Sequence, residues 1–178
     1  MSAGTATLWD VIAAEAGDES PLWAAVLRPA DEREHDPVFS PLGDERHALA
    51  LETIYEGYLL HYGRPRLFAP RSADEALLLG DYLYAHGLVR VAELQDAAAV
   101  ADLAALISVC AQLRADGDDG DGAAWAATAA RLGRDGLAPA RDALRLRGDA
   151  APLHHLAVSA VGEDAVEHAL AAHGRRVG

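Results

Sequence analysis

A single carboxylate interrupts the most apolar helical stretch of this sequence. Residues 76–85 are apolar or aromatic except for Gly80 and Asp81. Because an unpaired buried carboxylate is costly, we predict that Asp81 either has a partner or lies at a polar cavity. The candidate partners are Arg64, His61 and a tyrosine hydroxyl.

The densest group of cations follows the preceding helical segment. His61 is followed by the loop Gly63-Arg64-Pro65-Arg66. Two guanidinium groups and an imidazole at a helix exit can bind a phosphate or a carboxylate. They can equally interact with the helix dipole and with acidic neighbours, so the residue types are compatible with either role.

Three tyrosines recur at helical spacing in the segment before this loop. Tyr55, Tyr58 and Tyr62 share one side of the predicted helix, here called the tyrosine face, while Glu52 and Glu56 lie one turn apart on another side. The tyrosine face is typical of a core whose hydroxyls reach the rim, and it could also line a ligand cleft. The two glutamates predict a solvent-exposed pair, or else a pair that shares a cation.

Other patterns resemble metal sites without supplying a complete set of ligands. Glu32-x-x-His35 has a ligand spacing but lies in a proline-containing loop. The acidic turn 116–122 lacks the twelve-residue spacing and the closing glutamate of a calcium loop. The histidines within 154–168 form no evident coordinating set. We therefore expect solvated loops and helix surfaces at these positions, with no metal and no cofactor.

The composition excludes several classes of function. The chain has 178 residues and a formal net charge of −13, and its 15 lysine-plus-arginine positions are all arginine. Such an acidic chain does not favour nucleic acid, and the absence of lysine excludes Schiff-base chemistry. Cys110 is the only cysteine, which precludes an internal disulfide and predicts a core residue. With neither a leader-like segment nor a long apolar run, we expect a cytoplasmic protein without a membrane span.

Helix propensity dominates throughout the chain. Alanine is abundant, aromatic residues make up 6% of the sequence, and β-branched residues are too scattered for repeated strands. We predict one all-α domain over residues 1–178, a single helical bundle with its core at about 44–115 and shorter helices within 1–30 and 121–174. Thr7, Ser72 and Asp96 are the predicted caps of three helices. The predicted helices are 7–15, 21–28, 44–62, 72–94, 97–115, 123–132, 137–146, 151–161 and 163–173.

Two of these segments carry a recognisable pattern. Residues 50–61 read Ala-Leu-Glu-Thr-Ile-Tyr-Glu-Gly-Tyr-Leu-Leu-His, and residues 77–85 read Leu-Leu-Leu-Gly-Asp-Tyr-Leu-Tyr-Ala. Together they resemble the trans-polyprenyl diphosphate synthases, in which a helix of the form Glu-x-Ile-His-x-x-x-Leu-Ile-His precedes an aspartate-rich magnesium motif and a Gly-Asp-(Tyr/Phe)-Leu stretch opens the next core helix. The resemblance covers about residues 48–112 and implies a shortened isoprenoid-synthase-like bundle.

The chain departs from that family where the family binds metal. After the position equivalent to His61 the family has Asp-Asp-x-x-Asp, whereas this sequence continues Tyr62-Gly63-Arg64-Pro65, and a second such motif is also missing. Without carboxylates to hold magnesium, nothing neutralises the charge that develops on a diphosphate leaving group. The resemblance therefore implies a catalytically silent relative, with His61, Arg64 and Arg66 at the former metal-binding mouth.

Three functions are compatible with these residues. The first is a non-catalytic isoprenoid-synthase-like protein that pairs with a second copy or with a synthase subunit, or binds an apolar isoprenoid-like ligand against the tyrosine face. The second is a small enzyme in which Asp81, His61 and Glu52 or Glu56 form an acid–base or metal cluster. The third is a purely structural interaction domain. No catalytic residue is assigned.

Overall fold

This computed structural model describes residues 7–177 of the chain. These residues contain nine α-helices and no β-strand. Three short 3-10 turns, Ala30–Glu32, Ser40–Leu42 and Glu45–His47, lie before the third helix. The all-α prediction is therefore confirmed for these residues. The helices are α1 (Leu8–Glu19), α2 (Pro21–Ala24), α3 (Ala48–Tyr62), α4 (Ala73–Glu93), α5 (Ala97–Asp116), α6 (Asp121–Arg131), α7 (Leu137–Arg147), α8 (Ala151–Val161) and α9 (Glu163–Val177).

The predicted helix caps are confirmed. The side chains of Thr7, Ser72 and Asp96 accept hydrogen bonds from first-turn amides of α1, α4 and α5, respectively. Each cap satisfies an amide that has no partner within its helix, which fixes where the helix begins. The second helix is shorter than predicted, because after α2 the chain turns so that the amide of Arg28 donates to the carbonyl of Leu67 at 2.9 Å.

Helix α3 is the central element of the bundle. Every residue from 50 to 60 is buried, so neighbouring elements surround this helix on all sides. Helix α4 approaches it closely at two glycines. A Cβ atom on Gly80 would lie 2.5 Å from Nε2 of His61, and one on Gly87 would lie 2.3 Å from Cγ1 of Ile54. The close packing that we predicted at Gly80 is confirmed, and at both positions a larger residue would force the facing side chain to shift.

The hydrophobic core extends beyond the range predicted from the sequence. Its larger part includes residues of α3 and α5 together with Trp125 of α6, Leu153 of α8 and Val166 of α9. A smaller part joins α1 to α3 and α4 through residues such as Trp9 and Leu83. The C-terminal helices therefore form part of the core, although their lengths had suggested a peripheral layer.

Helix α5 is the one helix within residues 7–177 that is long and apolar enough to cross a membrane by length and composition. A core helix of a bundle satisfies the same criterion. Leu103, Leu106 and Leu113 of α5 are buried in the bundle, and so is Cys110, as predicted. Only 33% of its most apolar window is buried, so α5 also presents a wide outward surface.

Candidate ligand-binding cleft

Arg66 lies at the centre of a fully buried ion cluster. Its Nη1 atom is 2.7 Å from Oε2 of Glu52, and its Nε atom is 2.9 Å from Oε2 of Glu56. The guanidinium also stacks over Trp9 and Tyr55, with its central carbon 4.5 and 5.1 Å from the two ring centres. Of the two alternatives predicted for the glutamates, the solvent-exposed pair is wrong and the pair that shares a cation is confirmed. Arg66 is buried and does not stand at a mouth, which corrects the placement implied by the resemblance.

The remaining oxygens of the two glutamates hold two loops in place. Oε1 of Glu56 accepts the amides of Arg66 and Leu67, both at 2.8 Å. Oε1 of Glu52 accepts the amides of Val38 and Ser40 at 3.4 and 3.3 Å. Because these carboxylates already have hydrogen-bonded partners, they are not free for metal binding or proton transfer. The predicted cluster of Glu52 or Glu56 with His61 and Asp81 is therefore not assembled.

Asp81 is exposed, which corrects the prediction that it is buried. Its side chain is 66% exposed, and its Oδ1 atom lies 3.3 Å from Nε2 of His61. Leu79 and Leu83 of the same helix are buried. Asp81 is two residues from each of them, and two residues of an α-helix turn through about 200°, so its side chain must point outward. Burial lowers the pKa of His61, and the attraction of Asp81 offsets only part of that effect.

Two hydroxyls of the tyrosine face, those of Tyr55 and Tyr58, belong to a buried polar network that joins α3 to α5, α6 and α9. Tyr58 donates to Oδ2 of Asp121 and accepts from Arg114, whose Nη2 atom is 2.8 Å away. Tyr55 is 2.9 Å from Nδ1 of His173, and the other ring nitrogen of His173 is 3.2 Å from Asp121. His173 thus lies between Tyr55 and Asp121 and connects α9 to both.

Asp121 is the electrostatic centre of this network. Burial opposes its ionisation, yet the hydrogen bonds from His173 and Tyr58, with the nearby Arg114 charge, hold its pKa well below the usual range. Burial, reinforced by Asp121, raises the pKa of Tyr58. We had interpreted the turn 116–122 as a flexible acidic segment. That interpretation was wrong for Asp121, the first residue of α6.

An open cleft lies beside α3, between α9 and the loop that precedes α3. Its volume is about 780 Å³. Arg64 lines it, whereas Tyr55, Tyr58 and Tyr62 do not. The apolar part of its lining is Pro37, Val38, Pro41, Leu42, Ala165, Ala169 and Ala172. The charged and titratable part is Glu34, Asp36, Arg64, His168, Arg175 and Arg176.

The walls of this cleft are positioned by contacts with α3 and with the loop that follows it. Val38 is held by the buried Glu52, as described above. The amide of Arg64 donates to the carbonyl of Arg176 at 3.0 Å, and its guanidinium donates to the carbonyl of Arg175. A Cβ atom on Gly63 would lie 2.8 Å from the carbonyl oxygen of Arg176, so glycine permits this approach. Arg64 thus donates hydrogen bonds to the last carbonyls of α9, which have no partner within the helix.

Positive charge exceeds negative charge at the mouth of the cleft. Arg176 donates to Oε2 of Glu34 at 2.8 Å. This hydrogen bond holds the pKa of Glu34 below its usual range, and the charges of Arg64 and Arg28 act in the same direction. With Arg175 included, the lining has three guanidinium groups and two carboxylates, in a chain whose overall charge is strongly negative.

Sequence reasoning found Arg64 but missed the other charged residues of the cleft. Arg175 and Arg176 are adjacent in the last turn of the last helix, where two neighbouring arginines were the only signal. Glu34 stands 142 residues before Arg176, and nothing in their local sequence predicts that they pair.

Comparisons with protein-family models, with curated proteins and with solved structures found no match to this chain.

Proposed function

We propose that this protein is a non-catalytic, isoprenoid-synthase-like helical protein that binds an apolar, chain-like ligand in the cleft between α9 and the loop before α3. The cleft carries this proposal. Its volume of about 780 Å³ falls within the ~300–1,000 Å³ range of small-molecule sites. Its lining combines seven apolar residues with three arginines, which suits a ligand that has an apolar part and a polar end.

The placement of the acidic residues supports binding without turnover. Within residues 7–177, no group of three or more His, Cys, Asp or Glu side chains is placed to hold a metal ion. Glu52 and Glu56 are paired with Arg66, and Asp121 is surrounded by its own donors. The resemblance to trans-polyprenyl diphosphate synthases concerns α3 and α4, where the carboxylates that would hold magnesium are missing from the sequence.

Binding of an isoprenoid alcohol tests this proposal. We expect calorimetric titration with farnesol to give one site per chain. Ala172→Phe should weaken binding about tenfold or more, because the ring would occupy the cleft, and tenfold corresponds to about 1.4 kcal/mol. Ala171→Phe is the matched control, since Ala171 is exposed on α9 and does not line the cleft.

The same preparation tests the absence of catalysis. It is incubated with magnesium and a mixture of allylic and isopentenyl diphosphates, and prenyl transfer is measured. Turnover would reject the non-catalytic part of the proposal. Failure of the wild-type chain to bind farnesol, or an equal loss in both phenylalanine variants, would reject the assignment of the cleft.

We also propose that a second copy of the chain pairs across the outward surfaces of α4 and α5. Leu77, Leu78 and Val89 of α4 are 52%, 57% and 53% exposed. The exposed residues of α5 between Ala97 and Leu113 are all uncharged. Asp102 is the only charged residue between Ala97 and Leu113, and it pairs internally with Arg141 at 2.9 Å.

The low charge of the outward surface of α5 favours pairing there, whereas the outward surface of α4 also carries the exposed carboxylate of Asp81. Two chains that each carry a net charge of −13 repel one another, so they can approach most easily where charges are few. Helices of 20 residues are about 30 Å long and about 10 Å wide, so two of them side by side present an area of the same order as the roughly 800 Å² per partner of a standard interface.

Sedimentation analysis tests the pairing. We expect wild-type protein to sediment at twice the chain mass and Val89→Glu to sediment at the chain mass, because the new charges would be buried without partners. Leu146→Glu adds the same charge at a residue that is 67% exposed on α7, and it should leave the dimer intact. A monomeric wild-type chain, or dissociation by both variants, would reject this surface.

A further inference from the structure

We infer that the ligand of the cleft carries an anionic headgroup, a carboxylate or a phosphate, which lies against Arg64 and Arg175. This inference rests on the proposed function and adds the chemistry of the ligand's polar end. Both arginines are exposed and line the cleft. Among residues 7–177, neither guanidinium forms an ion pair with a carboxylate; Arg64 donates to the carbonyl of Arg175, and its other donors remain for an incoming anion.

Arg175, unlike Arg64, does not use its guanidinium to hold the described part of the fold. Arg64 reaches the carbonyl of Arg175 and thereby offsets the negative end of the α9 dipole, which would otherwise repel an anion. The side chain of Arg175 makes no such structural contact among the described residues. Because a guanidinium presents several donors in one plane, it matches the oxygens of a carboxylate or a phosphate.

The apolar residues determine which way the ligand lies. Ala165, Ala169 and Ala172 recur along the side of α9 that lines the cleft, with His168 among them, and Arg175 follows at the C-terminal end. The ten helical steps from residue 165 to residue 175 span about 15 Å. A ligand with its headgroup at Arg175 would therefore place an apolar chain of roughly that length along α9, against Val38 and Leu42 on the opposite wall.

Glu34 acts as an internal competitor for the anion. Its carboxylate is 2.8 Å from the guanidinium of Arg176, and its side chain is 56% exposed. Glu34 pairs with Arg176, the neighbour of Arg175, so a bound headgroup and the Glu34 carboxylate would lie close together and their like charges would repel. Removing the charge of Glu34 should therefore tighten the binding of an anion while leaving the binding of a neutral ligand unchanged.

The test compares three ligands that share one tail, decanoate, decyl phosphate and 1-decanol, below the concentrations at which they form micelles. By calorimetric titration we expect both anions to bind the wild-type chain about fivefold more tightly than the alcohol, which corresponds to about 1 kcal/mol. Arg175→Gln should remove that preference, and Glu34→Gln should increase it about threefold. Arg147→Gln, an exposed arginine on α7 outside the cleft, is the control and should change nothing.

The outcomes separate this inference from the function on which it rests. Equal affinity for all three ligands, or no effect of Arg175→Gln, would overturn the anionic headgroup and leave the apolar site in place. Binding of none of the three would reject the cleft as a ligand site altogether. If the anions bind preferentially, the tighter of decanoate and decyl phosphate identifies the headgroup. Raising the salt concentration should then reduce the preference, because the arginines are exposed to solvent.

Discussion

Replacing Arg66 with alanine is expected to lower the free energy of unfolding by about 3–5 kcal/mol, the range observed when one member of a buried ion pair is removed. The variant leaves the carboxylates of Glu52 and Glu56 buried without their cation. It also removes the stacking partner of Trp9 and Tyr55. Urea denaturation followed by circular dichroism measures the change.

Two further variants show whether the loss comes from the charges. Arg71→Ala removes an exposed arginine that pairs with Glu75 one helical turn away, and it should leave stability nearly unchanged. The triple variant Glu52→Gln, Glu56→Gln and Arg66→Met keeps the side-chain volumes and the acceptors for the loop amides. It should recover most of the lost stability, because buried ion pairs can be replaced by apolar or neutral groups. A loss below about 1 kcal/mol in Arg66→Ala would contradict a buried, charged triad.

The same triad links stability to the cleft. Glu52 holds Val38, which lines the cleft, and Glu56 holds the loop that carries Arg64 towards α9. A conservative change at Glu52 should therefore alter ligand affinity even where the protein stays folded. The buried charges position the walls of the cleft without touching the ligand.

Replacing Asp121 with asparagine is the second large effect, an expected loss of about 2–3 kcal/mol at neutral pH, since hydrogen bonds to a charged acceptor contribute about 1.5–3 kcal/mol. The amide oxygen of the new side chain would still accept from Tyr58, but a neutral group would not balance the charge of Arg114. Asp118→Asn, in the exposed turn just before α6, is the matched control and should have no effect.

The stability difference between wild type and Asp121→Asn should depend on pH with a definite sign. The folded-state pKa of Asp121 is depressed, so in acid the unfolded chain binds more protons than the folded chain. The stabilisation is fully present above the unfolded-state pKa of about 3.9, and it falls as the pH drops towards the folded-state pKa. Urea titrations between pH 5 and pH 2 should show the two proteins converging. A constant difference across that range would mean that Asp121 is not ionised in the network.

Local interactions account for the features that the sequence predicted correctly. Helix propensity, the caps at Thr7, Ser72 and Asp96, and the end of α3 at Gly63 all depend on residues a few positions apart. The positions of most helices therefore followed from the sequence. Glycine at position 80 also predicted close packing, because a glycine inside a helix is costly unless another segment must approach it.

The direction in which side chains face was much harder to predict. Helix α3 is buried on every side, so its separate stripes of tyrosine and glutamate do not divide a buried face from an exposed one. Helix α4 is apolar around most of its circumference, and periodicity could not show that Leu79 and Leu83 point inward while Asp81 points outward. In neither helix do polar and apolar residues separate onto opposite sides, so the sequence could not show which side chains point inward.

The sequence by itself determined an acidic, all-helical chain with defined helix ends. Only the tertiary structure brought Glu52 and Glu56 to Arg66, Tyr58 to Asp121 and His173, and Arg64 to the end of α9. The physical reason is one of range. Helix formation depends on neighbours within a turn or two, whereas a buried charge needs a partner that only the packing of distant helices can supply.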